Sequence, residues 1–281
     1  MTGQDSGAQV RVGVLGTDST HVDAFLRHLN IEQRHPELRI TAALACSPER
    51  DAAITAWGAQ ILGTPAAVVA RTDVVLVTER DPGQHVPLAR LALSAGRKVF
   101  IDKPLADTPQ GAHQVRDLAP PGRLATGSTF QHHPVVLDSA LRRPQHVVVE
   151  GPADPRCPWG GLLFYGIHAA EAACRVLAGD DPRGRVMFTD IRRSERADRT
   201  IVTARGHAGN LELHLHHQPP GAAPFVLECD GRRQELTLPS DYLAPVTRAI
   251  HDLAVGNPTT STLGVAEAAL ELLVPEREES A

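Results

Sequence analysis

The first half of the chain alternates short apolar runs with amphipathic segments. The apolar runs predict strands, and they cover residues 10–15, 40–45, 73–78 and 99–102. The segments between them place apolar residues at helical spacing, and two of them begin with helix-start signals, Ser47-Pro48 and Thr108-Pro109. Strands that alternate with helices predict right-handed βαβ units, and therefore a parallel sheet with helices on both faces.

Beyond residue 128 the pattern changes to longer runs in which apolar and polar residues alternate. Strands are expected over residues 146–150, 185–192, 200–205, 210–217 and 225–238, with turns at residues 206–209 and at Asp230-Gly231. Helices are expected over residues 164–177, 242–255 and 262–273. The second half therefore predicts an α+β domain with an open antiparallel sheet, so the fold class is α/β with two domains.

Composition narrows the choice of partners. The chain has 281 residues, a net charge of −5 and 42% hydrophobic residues. Because no block of like charges stands out, neither nucleic acid nor an anionic membrane is expected as a partner. The longest apolar stretches are too short to span a bilayer, and residues 1–9 are polar. We expect a cytoplasmic protein with a flexible tail over residues 1–9.

The cysteines and histidines do not predict a metal site. The four cysteines are scattered and form no C-x-x-C pair, which is typical of reduced thiols. Two groups of histidines stand out, His132-His133 and the trio His214, His216 and His217. No acidic or cysteine partner is spaced to complete either set, so no metal is expected.

The chain has two lysines, Lys98 and Lys103, among many arginines. Lys103 follows the apolar run 99–102 directly and precedes Pro104. Arginine keeps its proton near neutral pH, whereas the amine of a lysine can be tuned to release it. Lys103 is therefore a candidate proton donor, and the alternative is a charged residue that caps a strand.

The turn after the first strand has the context of a dinucleotide site but an altered glycine fingerprint. Its residues, which are all candidate cofactor ligands, are Gly16, Thr17, Asp18, Ser19, Thr20 and His21. Asp18 and His21 replace the second and third glycines of G-x-G-x-x-G. The hydroxyls of Ser19 and Thr20 and the helix N-terminus still suit a phosphate. The alternative is a capped turn that binds nothing.

The end of the second strand lacks the carboxylate that holds the adenosine ribose in such folds. Cys46 and Ser47 occupy this place, and Arg50 follows one helical turn later. A missing carboxylate with an arginine nearby favours a 2′-phosphate, and hence NADP over NAD. Ser47 and Arg50 are therefore candidate cofactor ligands.

Three segments together resemble the Gfo/Idh/MocA family of oxidoreductases. The first is the strand and turn over residues 12–16. The second runs from His85 to residue 106 and resembles the H…AxxxGKHVxxEKPLA signature, with Asp102 in place of the usual glutamate. The third, over residues 160–171, is similar to the GGxLxDxGxHxxD helix. Their order and spacing extend over nearly the whole chain.

The resemblance implies a Rossmann-type nucleotide-binding domain over residues 10–129 and a substrate and oligomerisation domain over residues 130–281. It implies a nicotinamide cofactor, NADP or NAD, in the cleft between the domains. Small sugars, inositols or related alcohols and carbonyls are the implied substrates. Because the open sheet of this family often packs face to face between subunits, we expect a homo-oligomer, such as a dimer, through the C-terminal sheet.

The resemblance also assigns roles to single residues. Lys103 would enter the cleft near the nicotinamide, and His168 would project toward the same point from the second domain. Hydride transfer needs one group that holds the substrate oxygen and one that exchanges its proton, and a lysine and a histidine can do both. Tyr165 is a further catalytic candidate. His85 and Asp102 are expected beside the cofactor.

Two departures from the family pattern leave alternatives open. Phe164 stands where the family usually has an aspartate, and a phenylalanine cannot hold a substrate hydroxyl. The glycine fingerprint is altered as well. The first hypothesis is an NAD(P)-dependent oxidoreductase acting on a small polar carbonyl, alcohol or imine. The second is elimination, epimerisation or hydrolysis on the same scaffold, with a lost or tightly bound cofactor. The third is a catalytically silent binding subunit.

Overall fold

The N-terminal domain is built on a parallel sheet. The computed structural model describes residues 9–219, 221–258 and 261–274. The strands of this sheet are β1 Val10–Leu15, β2 Leu38–Leu44, β3 Gln60–Leu62, β4 Val74–Val77, β5 Lys98–Ile101 and β6 Leu124–Thr126. They lie in the order β3-β2-β1-β4-β5-β6, and each neighbouring pair is parallel. The four predicted strands correspond to β1, β2, β4 and β5. The two short strands β3 and β6 were not predicted, because three residues show no readable periodicity.

Helices cover both faces of this sheet. They are α1 His21–Leu26, α2 Pro48–Ala56, α3 Pro65–Ala70, α4 His85–Ser94 and α5 Pro109–Leu118. The side chains of Ser47, Thr64 and Thr108 accept hydrogen bonds from backbone N–H groups at the starts of α2, α3 and α5. After α1 the chain continues as a π-helical turn, Arg27–Ile31. The α-helix is therefore shorter than the run of apolar residues at helical spacing that predicts it.

The C-terminal domain carries a second six-stranded sheet. Its strands are β7 His146–Pro152, β8 Phe188–Glu195, β9 Arg199–Gly206, β10 Gly209–His216, β11 Val226–Cys229 and β12 Arg232–Glu235. They lie in the order β12-β11-β7-β10-β9-β8. The predicted antiparallel pairing holds except between β7 and β10, which are parallel because a helix and two strands separate them along the chain. Asp230-Gly231 turns the run over 225–238 into a hairpin.

Two further helices belong to this half, α6 Pro134–Leu141 and α7 Leu162–Ala178. Helix α7 packs on one face of the sheet, where Val147, Val149, Leu213 and Leu215 are fully buried. The alternate residues of β10, His214 and His216 among them, lie on the other face and are partly exposed. This polar outer face is the surface through which a homo-oligomer is expected, and that assembly stays a prediction.

Of the last two helices, the first packs on the N-terminal half and the second packs mainly on α7. They are α8 Ala244–Val255 and α9 Ser261–Leu273. Ile250 and Leu253 of α8 are buried in one apolar cluster with Phe100 of β5, and Lys98 Nζ donates a hydrogen bond to the Ala254 carbonyl at 2.6 Å. Helix α8 therefore joins the N-terminal core although it follows the second sheet in the sequence. No helix of the described residues is long and apolar enough to cross a membrane. The tail predicted over residues 1–9 lies, except for Gln9, outside the described residues.

Candidate active site

A pocket of about 250 Å³ lies at the carboxyl ends of the parallel strands. Its wall includes residues that follow β1, β4 and β5 directly: Ser19, Thr20, His21, Thr78, Glu79, Arg80, Asp102 and Lys103. Phe164 and Tyr165 of α7 close it from the second domain. The order of the strands reverses between β1 and β4, and ligands of open α/β sheets bind in the crevice at such a point. The sheet topology and the pocket therefore mark the same place.

Lys103 lies between the two domains. Its Nζ is 4.5 Å from the centre of the Phe164 ring and 5.7 Å from that of Tyr165, within reach of a cation–π contact. Burial lowers the pKa of the Lys103 amine, although the charges of Asp102 and Glu171 oppose this shift. A lysine whose pKa is lowered can exchange its proton more readily than an exposed one.

Asp102 forms a close pair with His21. Asp102 Oδ2 lies 2.7 Å from His21 Nδ1, and the exposed fractions of the side chains are 7% and 15%. Burial by itself would raise the pKa of Asp102, but the charge and the hydrogen bond of His21, together with the charge of Lys103, lower it to about 2. Asp102 is therefore an ionised carboxylate at neutral pH and accepts a hydrogen bond from the imidazole.

His168 approaches the pocket from α7 inside an aromatic cage. Its ring packs edge-on against Phe130, Tyr165 and Phe225, with centroids 5.4, 5.6 and 6.0 Å away. Its Nδ1 is buried without a partner among the described residues. Burial, with a contribution from the charge of Lys103, moves the pKa of His168 well below its usual value. His168 is therefore a neutral imidazole with an unused polar atom.

The chain has two tyrosines, Tyr165 and Tyr242, and both lie at this site. The Tyr242 ring is 6.1 Å from the His21 ring. Burial is the main cause that raises the pKa of both phenols. Tyr242 was missed in the sequence because it precedes a helix far from every motif. Its rarity was the one available signal.

The turn after β1 is held against the end of β4. Gly16 has a φ of +99°, and a Cβ at this position would lie 2.2 Å from the backbone nitrogen of Glu79. The buried Thr17 donates its hydroxyl to the Leu44 carbonyl at 3.2 Å, so it is not available to a ligand. Gly16 thus serves the close approach of two chain segments, which is a different purpose from contact with a pyrophosphate.

Arg80 compensates the unusual charge at the second glycine position. It donates to the Asp18 carbonyl from Nε and Nη2 at 3.1 and 3.0 Å, and its Nε lies 3.3 Å from the Asp18 carboxylate. The backbone N–H groups of Thr17, Asp18 and Thr20 donate to no acceptor among the described residues. The turn therefore fits a nucleotide phosphate, because it offers free N–H groups beside a guanidinium.

The expected preference for NADP assumed that the Arg50 guanidinium is free to bind a 2′-phosphate. In the structure this guanidinium is bonded to other residues of the chain. Its Nε donates to the Thr17 carbonyl at 2.6 Å, its Nη2 donates to the Ser19 carbonyl at 3.3 Å, and its Nη1 is paired with Asp23. The side chain of Ser47 accepts from the Arg50 backbone N–H as the cap of α2. Arg50 therefore stabilises the turn after β1, and Ser47 is the acceptor that caps α2, so these contacts do not favour NADP over NAD.

His85 lies beneath the pocket and not in its wall. It is fully buried, with Nδ1 2.7 Å from the Pro104 carbonyl and Nε2 2.8 Å from the Glu79 carbonyl. Direct contact between His85 and a cofactor, as the sequence suggested, is wrong because both ring nitrogens face backbone oxygens. His85 instead ties the segment after Lys103 to the segment after β4, and so positions two walls of the pocket.

Replacing His85 by alanine is expected to destabilise the protein by about 3 kcal/mol, because the change removes the ring N–H that donates to one of these carbonyls and opens a cavity. The measurement is urea unfolding followed by circular dichroism. His146→Ala, at an exposed histidine that begins β7, is the matched control and is expected to change the free energy of unfolding by less than about 0.5 kcal/mol. Equal stability of the two variants would contradict the tie.

The histidine groups noted in the sequence are placed away from the pocket or paired. His214 contacts Glu212, and His216 Nε2 lies 3.5 Å from Glu150. Burial lowers the pKa of His132 to about 4, and its Nε2 has no partner among the described residues. A further group, which the sequence did not suggest, is His35, Glu37 and His251. Its two rings stack at 4.4 Å, and both nitrogens of His251 already face carboxylates.

Comparison with known proteins supports the fold and identifies the family that the N-terminal part of the chain matches. Residues 10–122 match the sequence model of the Gfo/Idh/MocA group, described as an oxidoreductase family with an NAD-binding Rossmann fold. An inositol 2-dehydrogenase of Cereibacter sphaeroides is 32% identical over 38% of this chain, and the match spans 31% of that enzyme. The chain thus spans about a third of that relative. A dTDP-3,4-didehydro-2,6-dideoxy-alpha-D-glucose 3-reductase of Streptomyces antibioticus is 26% identical over 75% of this chain and 77% of its own length.

Solved structures share the fold over nearly the whole chain. The WlbA dehydrogenase of Thermus thermophilus, solved with NAD and alpha-ketoglutarate, has a TM-score of 0.75 at 16% identity and covers 97% of both chains. The 3-ketoreductase KijD10 of Actinomadura kijaniata, solved with NADP and TDP-benzene, has a TM-score of 0.69 at 18% identity, over 93% of this chain and 95% of its own. Residues 10–122, which carry Asp102 and Lys103, thus match the Gfo/Idh/MocA family of oxidoreductases, and the solved structures show that the whole chain shares their fold.

Proposed function

We propose that this protein is an NAD(P)-dependent oxidoreductase that acts on a small polar alcohol, carbonyl or imine. The observation that carries the proposal is the position of Lys103. Its amine lies in a pocket at the switch point of the parallel sheet and faces α7 of the second domain. Matched relatives are named as an inositol dehydrogenase and a sugar reductase, so a polar substrate of this kind is the natural expectation.

A nicotinamide cofactor bound at this crevice supplies or accepts the hydride. The side chains have to hold the substrate oxygen and move its proton. We propose that Lys103 donates a hydrogen bond to this oxygen through Nζ. In the direction of reduction, the protonated amine stabilises the negative charge that develops on this oxygen as the alcohol forms.

His168 and Tyr165 are proposed to bind the substrate from the second domain. His168 Nδ1 is a buried polar atom without a partner among the described residues, and a substrate hydroxyl would satisfy it in either tautomer of the ring. The Tyr165 phenol keeps its proton at neutral pH, because burial raises its pKa, and it is therefore a hydrogen-bond donor. Phe164, which replaces the family aspartate, shields the Lys103 amine with its ring instead of offering an acceptor.

The phosphates of the cofactor are proposed to lie on the turn after β1. Free backbone N–H groups are available to an anion there, and Arg80 offsets the charge of the Asp18 carboxylate that would otherwise repel it. Asp102 lines the pocket beside this turn and is held by His21. Both NAD and NADP are compatible with the end of β2, where Ser47 and Arg50 have structural partners.

Titration with NADH and NADPH, followed by fluorescence and calorimetry, tests this function. We expect saturable binding with a dissociation constant below about 1 mM, typical of cofactor sites. Thr20→Glu places a negative charge on the exposed start of α1 and should weaken binding about tenfold or more by repulsion of the phosphates. Thr55→Glu, on the exposed face of α2, is the matched control and should bind as the wild type does. No binding of either cofactor at millimolar concentration would overturn the redox function.

A non-redox reaction on the same scaffold is the second candidate. It is favoured by His21, which occupies the third glycine position and carries a carboxylate partner in the pocket. An imidazole paired with a carboxylate can move protons without a nicotinamide. If no cofactor binds, proton abstraction by this pair is the activity to assay, as in elimination or epimerisation.

A further inference from the structure

The pair of His21 and Asp102 lines the pocket, and the proposed oxidoreductase reaction has so far given it no chemical step. Asp102 follows β5, and His21 begins α1 after β1, so the fold brings together two residues 81 positions apart. Their contact of 2.7 Å is the length of a charge-assisted hydrogen bond. An ionised carboxylate has no proton to donate. The proton of a neutral His21 is therefore on Nδ1, and Nε2 carries the lone pair.

The ring of His21 is fixed in two ways besides this bond. Phe25 lies one turn along α1, with its ring 6.4 Å away at an interplanar angle of 74°. Tyr242 packs on it at 6.1 Å and 70°. With Nδ1 bound to Asp102 and the ring held edge-on between two aromatic side chains, the free nitrogen has a defined direction. His21 and Lys103 line the same pocket.

The other two imidazoles near the pocket lack this arrangement. His85 faces two backbone carbonyls and has no exposed surface. His168 is enclosed by aromatic rings and has no carboxylate partner among the described residues. An imidazole that receives a proton becomes a cation, and a neighbouring carboxylate stabilises this cation. By this criterion His21 is better suited to accept a proton than either of the others.

We propose that His21 is a catalytic base whose Nε2 takes the proton of a hydroxyl bound beside Lys103, with Asp102 as its positioning residue. The O–H bond breaks, the electron pair stays on oxygen, and the proton forms the new N–H bond on Nε2. The Lys103 ammonium stabilises the negative oxygen, and the proton leaves to solvent from the partly exposed His21. In the reverse direction the imidazolium returns the proton. The proposal rests on the proposed function, because the hydroxyl is that of its alcohol substrate.

The role of His21 depends on the charges that surround it. The titratable groups of the adjacent elements are Glu79, Arg80, Asp102, Lys103, Tyr165, His168 and Tyr242. Asp102 stays ionised down to low pH, since its pKa is about 2. Loss of the Asp102 charge should weaken His21 as a base without removing it from the pocket.

The tautomer of His21 tests the geometry without any cofactor or substrate. In ¹⁵N-labelled protein, the two-bond ¹H–¹⁵N correlations should show neutral His21 with its proton on Nδ1 and a bare Nε2. In Asp102→Ala the Nε2-protonated form should predominate, as in free imidazole side chains. Asp102→Asn, which keeps the shape of the side chain, is the second variant if the first does not fold. A wild-type His21 that carries its proton on Nε2 would overturn the proposal.

Carbethoxylation by diethyl pyrocarbonate measures the reactivity of the same nitrogen. We expect peptide mapping to show modification of His21 at Nε2, with a rate about tenfold lower in Asp102→Ala, the usual size of one charge-assisted hydrogen bond. Unmodified His21 in the wild type, or equal rates in the two proteins, would contradict a free and activated Nε2. Neither readout needs a nicotinamide, so absence of NADH binding would overturn the proposed function and leave this result standing.

If the wild type oxidises an alcohol, His21→Gln should lower kcat about 100-fold while the dissociation constant of NADH stays unchanged. An unchanged kcat would overturn the proposal that His21 is the catalytic base.

Discussion

Replacing Lys103 by methionine is expected to lower kcat/KM for the oxidoreductase reaction by about 10³-fold, within the range for loss of an acid–base group. Methionine preserves the length and apolar stem of the side chain, so the packing against Phe164 should remain. What disappears is the amine that holds the substrate oxygen. The dissociation constant of NADH should stay within a factor of about three, because Lys103 contacts the reacting end of the pocket.

Lys98→Met is the matched control for this variant. The two lysines stand at opposite ends of β5, and Lys98 Nζ donates to the Ala254 carbonyl near the end of α8. The same substitution there removes one hydrogen bond and should cost about 1 kcal/mol of stability without a loss of kcat/KM. Equal losses of activity in the two variants would mean that Lys103 acts through the fold and not through its amine.

The lowered pKa of Lys103 predicts the direction in which the rate of reduction changes with pH. Burial favours the neutral amine, so the deprotonated fraction rises at lower pH than for an exposed lysine. The rate of reduction, which uses the protonated amine, should fall as the pH rises through this lowered pKa. Steady-state rates measured across the alkaline range should show this step in the wild type, and the step should be absent in Lys103→Met.

Gly16→Ala is expected to lower the free energy of unfolding by about 3 kcal/mol or more, the size typical of steric strain in a buried backbone. The new Cβ would lie 2.2 Å from the Glu79 nitrogen and 2.6 Å from the Thr78 carbonyl carbon, and both belong to the backbone. The φ of +99° is also unfavourable for alanine. Because Glu79 lines the pocket, the shift that relieves this clash should weaken NADH binding as well.

Gly63→Ala provides the comparison for this effect. A Cβ at Gly63 meets nothing within 4 Å, and its φ is not in the left-handed region. The substitution should leave stability unchanged or raise it by about 0.5 kcal/mol, because alanine restricts the unfolded chain. Urea unfolding of both variants decides the point. A Gly16→Ala protein as stable as Gly63→Ala would contradict the close approach of the two turns.

The order of elements was predictable from the sequence because periodicity and capping are local signals. The strand β1 matches its predicted bounds, and Ser47 and Thr108 cap helices as their position before a proline indicated. The short strands β3 and β6 and the parallel pair of β7 and β10 were not predictable in this way. Three residues show no period, and the direction of a pairing depends on where the intervening chain crosses.

The candidate site was also predictable only in part, for the same reason. The rarity of lysine, and the motif around Asp102 and Lys103, led from the sequence to the residues that line the pocket. The roles of single side chains were not predictable from the sequence, because they depend on partners that are distant in the chain. Arg50 looked like a phosphate ligand and is bonded to the turn, and His85 looked like a cofactor contact and is buried under it.

By itself, the sequence determined the fold class, the family resemblance of the N-terminal part and the place of Lys103 just beyond the end of a parallel strand. Only the tertiary structure decided that His21 meets Asp102 and that Tyr242 joins the site from the end of the chain. The physical reason is that the first set follows from local periodicity and spacing. The second set follows from hydrogen bonds and ring contacts between segments that the sheet brings together. These contacts determine which nitrogen of His21 is bonded to Asp102 and which charges act on the pKa of Lys103.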